Sequence, residues 1–163
     1  MDGLKIYGFT GEINNIEETL KYIKDLNKDH DCLIQLIDAD FIAGKKHIRH
    51  GVFQAINSFK RSENIANDLS VEIILRLSAQ RQISKAFDIL GLKNGKMNLC
   101  VIISNCSNEI LNALNNNFSR DDDVLSPNIL KLKNEYNISD EELAIIDIED
   151  IIIDKITKLN VDY

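Results

Sequence analysis

The stretch that decides the fold is residues 31–61, DCLIQLIDADFIAGKKHIRHGVFQAINSFKR. Its first part, as far as Asp40, holds an apolar run short enough for a buried β-strand. Gly44 then interrupts the chain, and from about Lys45 to Arg61 the apolar residues recur at helical spacing. A buried strand followed closely by an amphipathic helix predicts a mixed α/β protein.

Segments on either side of this stretch extend the same pattern. LKIYGF, from Leu4, alternates like a strand, and NLCVIIS, from Asn98, resembles a second buried strand. The chain has 163 residues, 44% of them apolar, which is enough for the core of one domain. We therefore predict a mixed α/β fold in which a small β-sheet packs with a helical bundle. It forms a single compact domain over 1–163, with a helical portion at about 45–91.

The middle of that helical portion contains two further predicted helices. The first, around DLSVEIILRLSA, is apolar on nearly every side except for Glu72 and Arg76, an i, i+4 pair. Such a helix is either buried in its own core or covered by another protein. Ser78 is the expected N-cap of the second helix, whose apolar residues are Ile83, Ala86, Phe87 and Leu90.

A helix that begins at Ser78 would leave backbone N–H groups free in its first turn. Gln80, Arg81 and Gln82 would surround those groups, and the sequence therefore predicts an anion pocket there.

Charge is distributed unevenly along the chain. The formal net charge is −7, but residues 43–96 carry ten cationic and four acidic side chains, a net +6. Because an acidic protein repels a polyanion, any contact with nucleic acid must be local and made by this segment. The alternative is an ordinary solvated surface with uneven charge.

One face of the helix predicted over 45–61 is basic and contains an aromatic residue. Its members are Lys46, Arg49, His50, Phe53, Asn57 and Lys60. Cations contact phosphates and a ring can stack on an unpaired base, so the face suits single-stranded nucleic acid. The alternative is a solvated helix face whose Phe53 lies under a neighbouring element.

The three cysteines, Cys32, Cys100 and Cys106, match no zinc or redox spacing. We expect free thiols, which fit a reducing compartment. No secretory signal and no apolar stretch long enough to span a bilayer is found, so the predicted location is the cytoplasm, without a membrane partner.

Catalytic motifs are absent from the sequence. Ala39 and Lys46 stand where a P-loop around Gly44 and Lys45 needs its first glycine and its Ser or Thr. His47 and His50 are three residues apart and could share a metal, which leaves a metal-dependent enzyme as an alternative, but no third ligand is placed beside them. We expect no catalytic residues, no metal and no cofactor.

With these features in order, the chain resembles the smallest subunit of the KEOPS (EKC) complex, the PRPK-binding protein family. The matching pieces are LIQLIDADFIAGKKHIRHGVFQAINSF, VEIILRLSAQRQISKAFDILGLKNG and the strand NLCVIIS. The family's R-Q-I turn falls on Arg81, Gln82 and Ile83, and its helix histidine on His47. The composition, rich in Asn, Ile and Lys, resembles that of archaeal proteins.

The resemblance implies an accessory subunit without catalysis of its own. Its partners would be a small atypical kinase and tRNA, recruited by the single-stranded 3′ CCA end for threonylcarbamoyl modification of the adenosine next to the anticodon. An interaction scaffold that never touches RNA stays open as an alternative.

The residues predicted to contact tRNA combine the basic helix face with the 76–82 region: Lys46, His47, Arg49, His50, Lys60, Arg61, Arg76, Gln80, Arg81 and Gln82. The residues predicted to contact the kinase, on the apolar helix, are Leu69, Ile73 and Leu77.

Overall fold

The computed structural model describes residues 3–30 and 32–161. The described residues form the strands β1 (Leu4–Ile13), β2 (Leu33–Asp38), β3 (Gly95–Ser104) and β4 (Ser119–Arg120). They also form the helices α1 (Ile16–His30), α2 (Lys45–Lys60), α3 (Leu69–Leu77), α4 (Ile83–Leu90), α5 (Asn108–Asn117), α6 (Ile129–Glu135), α7 (Asp140–Ile145) and α8 (Ile148–Lys158). The predicted mixed α/β class is confirmed.

The chain divides into two compact units. A sheet unit comprises Met1–Ala39 and Leu92–Leu125, and a helical unit comprises Asp40–Gly91 and Ser126–Tyr163. The helical unit therefore interrupts the sheet unit between β2 and β3.

In the sheet unit the strands lie in the order β2-β3-β1-β4, and every neighbouring pair is antiparallel. With α1 after β1 and α5 after β3, this is the βαββαβ arrangement of ferredoxin-like folds. Because side chains alternate along a strand, Leu99, Val101 and Ile103 of β3 share one face and pack with Ile23 of α1 and Ile110 of α5. The sheet unit thus has its own apolar core.

Two of the three cysteines are paired, so the expectation of free thiols is wrong for them. Cys32 and Cys106 form a disulfide, with their Cα atoms 4.9 Å apart, whereas Cys100 is free and buried. The reason is strand pairing: Leu33 of β2 lies opposite Ser104 of β3, which brings the two neighbouring cysteines together across a separation of 74 residues. The cysteines therefore no longer support a reducing compartment.

The helical unit contains a second core, built by α6, α8 and the segment before α2. It includes Ala43, Leu132, Ile148, Ile152 and Ile156, all buried. The apolar stripe along the last helix explains why α8 packs with one face inward. No helix within 3–30 or 32–161 is long and apolar enough to cross a membrane.

The ends of α2, α3 and α6 share one termination motif. A residue with positive φ follows each helix, namely Ser62 (58°), Ala79 (54°) and Asn137 (55°). After α2, Glu63 N–H donates to Ser58 O at 2.8 Å; after α3, Gln80 N–H donates to Leu75 O at 3.0 Å. In both bonds an N–H donates to the carbonyl five residues earlier, which is the pattern of a Schellman cap. The left-handed residue turns the chain back so that these last helix carbonyls are hydrogen-bonded.

Ser62→Gly is expected to raise the free energy of unfolding by about 0.5–1 kcal/mol, because glycine adopts the left-handed conformation without the Cβ clash. Urea unfolding measures the change. Ser84→Gly is the matched control: Ser84 is exposed inside α4, where the same exchange should destabilise by a similar amount. If the free energy of unfolding changed in the same direction in both variants, the result would contradict the expectation.

Candidate nucleic-acid interface

Helix α2 carries the predicted basic face on its exposed side. Lys46, Arg49 and Lys60 are exposed, and Phe53 between them is 47% exposed. The alternative that Phe53 lies under a neighbouring element is therefore wrong. Arg61, the C-cap of α2, is exposed as well. We call Lys46, Arg49, Phe53, Lys60 and Arg61 the basic face.

The helix that carries the basic face has no acid of its own. The sequence of α2 contains four Lys or Arg residues and no Asp or Glu. Among the described residues, none of the recorded ion pairs involves Lys46, Arg49, Lys60 or Arg61. Charge here is segregated as the sequence pattern indicated, and positive potential can act on an approaching phosphate.

His47 does not belong to that face. It is fully buried: its Nδ1 accepts from Ala43 N–H at 3.0 Å, and its Nε2 lies 2.8 Å from Leu77 O. Since Nδ1 is an acceptor, the proton is on Nε2, which donates to the carbonyl. Burial lowers the pKa of His47 to about 4, so the ring is neutral at pH 7. The prediction that His47 contacts RNA is therefore wrong.

The same bonds weaken the metal alternative. Both ring nitrogens of His47 are occupied, and Nε2 of His50 is bonded to Thr157 Oγ1 at 2.9 Å. In the part of the chain that is described, no three His, Cys, Asp or Glu side chains are grouped to hold a metal ion. The pair His47 and His50 therefore supplies no metal site.

Arg76 is also excluded from the surface. It is fully buried, its Nε donates to Glu72 Oε1 at 2.9 Å, and its Nη1 donates to Asn160 Oδ1 at 2.6 Å. The i, i+4 pair seen in the sequence is thus an internal ion pair. The prediction that Arg76 contacts RNA is wrong, because its guanidinium is used to balance a buried carboxylate.

Ser78 terminates α3 instead of starting α4. Its backbone is helical, and its Oγ donates to Leu75 O at 3.1 Å, so it cannot cap a following helix. Gln82 is the residue before α4, and Arg81 Nη2 donates to Leu159 O at 2.5 Å. Gln80 and Arg81 are half-buried and Gln82 is exposed. Because no helix begins at Ser78, these three side chains do not surround the predicted anion pocket.

Beside this turn lies a cavity of about 400 Å³ that sequence reasoning missed. Its walls are the segments that follow α3, α6 and α8, together with two lysines: Ser78, Ala79, Gln80, Glu135, Tyr136, Asn137, Lys155, Lys158 and Leu159. Three helix C-termini meet here, and carbonyls at these ends are already hydrogen-bonded: Leu75 O accepts from Gln80 N–H, and Leu159 O accepts from Arg81 Nη2. No local sequence signal could indicate it, because its walls come from three separate parts of the chain.

Side-chain bonds connect the cavity to the basic helix. His50 of α2 bonds Thr157 of α8, and Gln54 of α2 accepts from Asn160 Nδ2 at 2.7 Å. Thr157, which makes the first of these bonds, lies between Lys155 and Lys158 in the sequence of α8. The basic face and the cavity are therefore carried by elements that contact one another.

The residues predicted to contact a kinase are mostly inaccessible. Ile73 and Leu77 are fully buried, and Leu69 is half-buried. Gly51 of α2 approaches Leu77 so closely that a Cβ at Gly51 would overlap its side chain. The sequence left two alternatives for this apolar helix, burial in the protein's own core or coverage by another protein. Helix α3 is buried in the protein's own core. The prediction that Ile73 and Leu77 lie on a kinase-binding surface is therefore wrong.

Comparison with known proteins agrees with the resemblance found in the sequence. The sequence profile of the family described as kinase binding protein CGI-121 matches residues 11–158. The chain is also 44% identical over 68 residues to the regulatory protein Cgi121 of Methanocaldococcus jannaschii. That alignment covers 42% of this chain and 43% of the relative, less than half of either.

Proposed function

We propose, because this chain belongs to the CGI-121 family of kinase-binding proteins, that it is a non-catalytic accessory subunit of the KEOPS complex. In this role it binds the small atypical kinase subunit and recruits tRNA through the 3′ CCA end. The complex then adds the threonylcarbamoyl group to N6 of the adenosine next to the anticodon. Because tRNA modification of this kind is intracellular, the proposal carries a cytoplasmic location.

The observation that carries the RNA part is the positive charge of α2. Lys46, Arg49 and Lys60 are exposed and share a helix face with the exposed Phe53, and the helix contains no acid. A short unpaired strand offers few phosphates and unstacked bases, so a small cationic surface with one aromatic ring matches it. The acidic remainder of the chain would repel a longer polyanion and confine contact to this region.

The cavity supports recognition of a base beyond the phosphates. Its wall includes Gln80 and Asn137, whose side-chain amides can both donate to and accept from the edge of a base. Lys155 and Lys158 also line it, together with Glu135, and Lys158 is paired with Asp154 at 3.0 Å. Gln80 belongs to the cavity, and Arg81 and Gln82 follow it in the same turn, so these three stay in the proposed site together with Lys46, Arg49, His50, Lys60 and Arg61.

The triple variant Lys46→Glu, Arg49→Glu, Lys60→Glu is expected to weaken tRNA binding about tenfold or more in a gel-shift titration. The slope of log K against log salt should fall by about 2, since each neutralised phosphate on a single strand contributes about 0.7. The matched control reverses three exposed lysines of the sheet unit, Lys5, Lys21 and Lys24, with the same change in net charge.

Equal losses in the two triple variants would contradict a local site. A second comparison, of intact tRNA with tRNA trimmed of its CCA end, tests which part of the RNA is bound. Weaker binding of the trimmed tRNA is expected. If neither RNA binds while the kinase does, the scaffold without RNA contact is the correct alternative.

A further inference from the structure

Helix α7 is a helix with no buried residue. Its N-terminal end is fixed: Ser139 and Glu142 form a capping box, and Lys133 of α6 pairs with Asp140. Leu143 alone packs partly against the core of the helical unit. A helix of six residues has little intrinsic stability, so the capping box is needed to keep α7 helical. The helix itself contributes almost nothing to the core.

What this helix presents to solvent is apolar. Ile145, its last residue, is 84% exposed, and Ile146 after it is 48% exposed. Helix α6, which shares a core cluster with α7 through Leu132 and Leu143, adds Ile129 and Leu130 at 45% and 68%. Half of the eight large exposed apolar side chains among the described residues thus fall between 129 and 146. Exposed apolar side chains concentrated in this way mark interaction sites.

The segment that contains Ile145 and Ile146 carries only negative charge, whereas Leu130 is followed by Lys131, which pairs with Asp40. Residues 139–150, SDEELAIIDIED, contain six acids and no Lys or Arg. Three of the acids have internal roles: Asp140 pairs with Lys133, Glu142 closes the capping box, and Glu149 accepts from His47 N–H at 2.9 Å. Glu141, Asp147 and Asp150 are exposed, and none of the recorded ion pairs of the described chain includes them.

An apolar surface with an acidic rim selects its partner by charge. RNA and anionic lipid surfaces are repelled by it. A second copy of this chain is disfavoured too, because a two-fold contact would place the acids of one copy against those of the other. The complementary partner is a protein surface that offers an apolar pocket edged by Lys or Arg.

We infer that Ile145 and Ile146, with the rim Glu141, Asp147 and Asp150, form the docking surface for the kinase partner. This inference rests on the proposed function for the identity of the partner. The kinase must then present a basic-edged apolar pocket to this surface. Since the basic face of α2 has the opposite charge, electrostatics directs RNA and kinase to different parts of the helical unit.

The test is isothermal titration calorimetry with the purified kinase subunit of the same organism and the full chain. Ile145→Glu and Ile146→Glu should each raise Kd about 30-fold or more, as for a buried anchor residue at an interface. Glu141→Lys should raise Kd at low salt and reduce the dependence of Kd on salt. Leu20→Glu is the matched control, since Leu20 is 46% exposed on α1 of the sheet unit, and it should leave Kd unchanged.

Each outcome decides a separate point. Wild type and Ile145→Glu binding equally well would overturn the docking surface and leave the proposed function intact. A wild-type chain that does not bind the kinase would overturn the proposed function itself, and the surface with it. A wild-type dimer that Ile145→Glu converts to a monomer would assign the surface to a second copy and overturn the kinase assignment. Unchanged tRNA binding by Ile145→Glu supports separate surfaces.

Discussion

Glu72→Ala is expected to lower the free energy of unfolding by about 3–5 kcal/mol, because it leaves the charge of Arg76 buried without its partner. Glu72 is fully buried, and its two oxygens accept from Ser58 Oγ at 3.1 Å, Ile65 N–H at 2.9 Å, Ala66 N–H at 2.7 Å and Arg76 Nε at 2.9 Å. One carboxylate therefore connects α2, the α2–α3 loop and α3. Urea unfolding at neutral pH measures the loss.

The controls separate loss of the ion pair from loss of a carboxylate. Asp88→Ala removes an exposed acid of α4 and should change stability by less than about 0.5 kcal/mol. Replacing Glu72 and Arg76 together by methionine should cost less than Glu72→Ala, because apolar residues of similar volume leave no unpaired charge. A loss below about 1 kcal/mol for Glu72→Ala would contradict a buried pair.

Acidification from pH 6.5 to pH 4 is expected to remove stability on the order of 3 kcal/mol through His47 alone. Burial lowers the pKa of His47 to about 4 in the folded protein, against an ordinary value near 6.5 in the unfolded chain. Between these values the unfolded state binds more protons, so stability rises with pH. The contribution is complete above pH 6.5 and is lost as the pH falls towards 4.

His47→Leu isolates this contribution. The variant should be less stable at pH 7, since Ala43 N–H loses its acceptor, but its stability should fall less steeply between pH 6.5 and pH 4. His50→Gln is the matched control, because His50 is only partly buried and the pKa shift is in the same direction. Thermal melts at half-unit pH intervals measure both slopes. Parallel slopes for wild type and His47→Leu would contradict the assignment.

The basic face of α2 could be predicted because helical periodicity is a local property. Residues three and four apart lie on one side of a helix, so Lys46, Arg49, Phe53 and Lys60 were grouped from spacing alone. Their exposure followed from the apolar stripe on the opposite side, which includes Ile48, Val52 and Ala55, all fully buried. The location of this face therefore required no tertiary information.

Burial of individual polar residues could not be predicted in the same way. Arg76 and His47 have the residue types of a nucleic-acid site, yet both are enclosed by partners distant in sequence, such as Asn160 and Leu77. Ile83 shows the reverse case: it belongs to an apolar pattern but is 49% exposed. Composition and spacing cannot distinguish these cases, because burial depends on which elements pack on each side.

By itself the sequence determined the mixed α/β class, the helices over 45–91, the segregation of positive charge and the membership in a kinase-binding family. The first three properties depend on periodicity and composition, which are local, and the family membership rests on the match of the family profile to residues 11–158. Only the tertiary structure decided the Cys32–Cys106 disulfide, the cavity where three helices end, and the buried state of Glu72 and Arg76. Each of these joins groups far apart in the chain, and only the packing of whole elements brings such groups together.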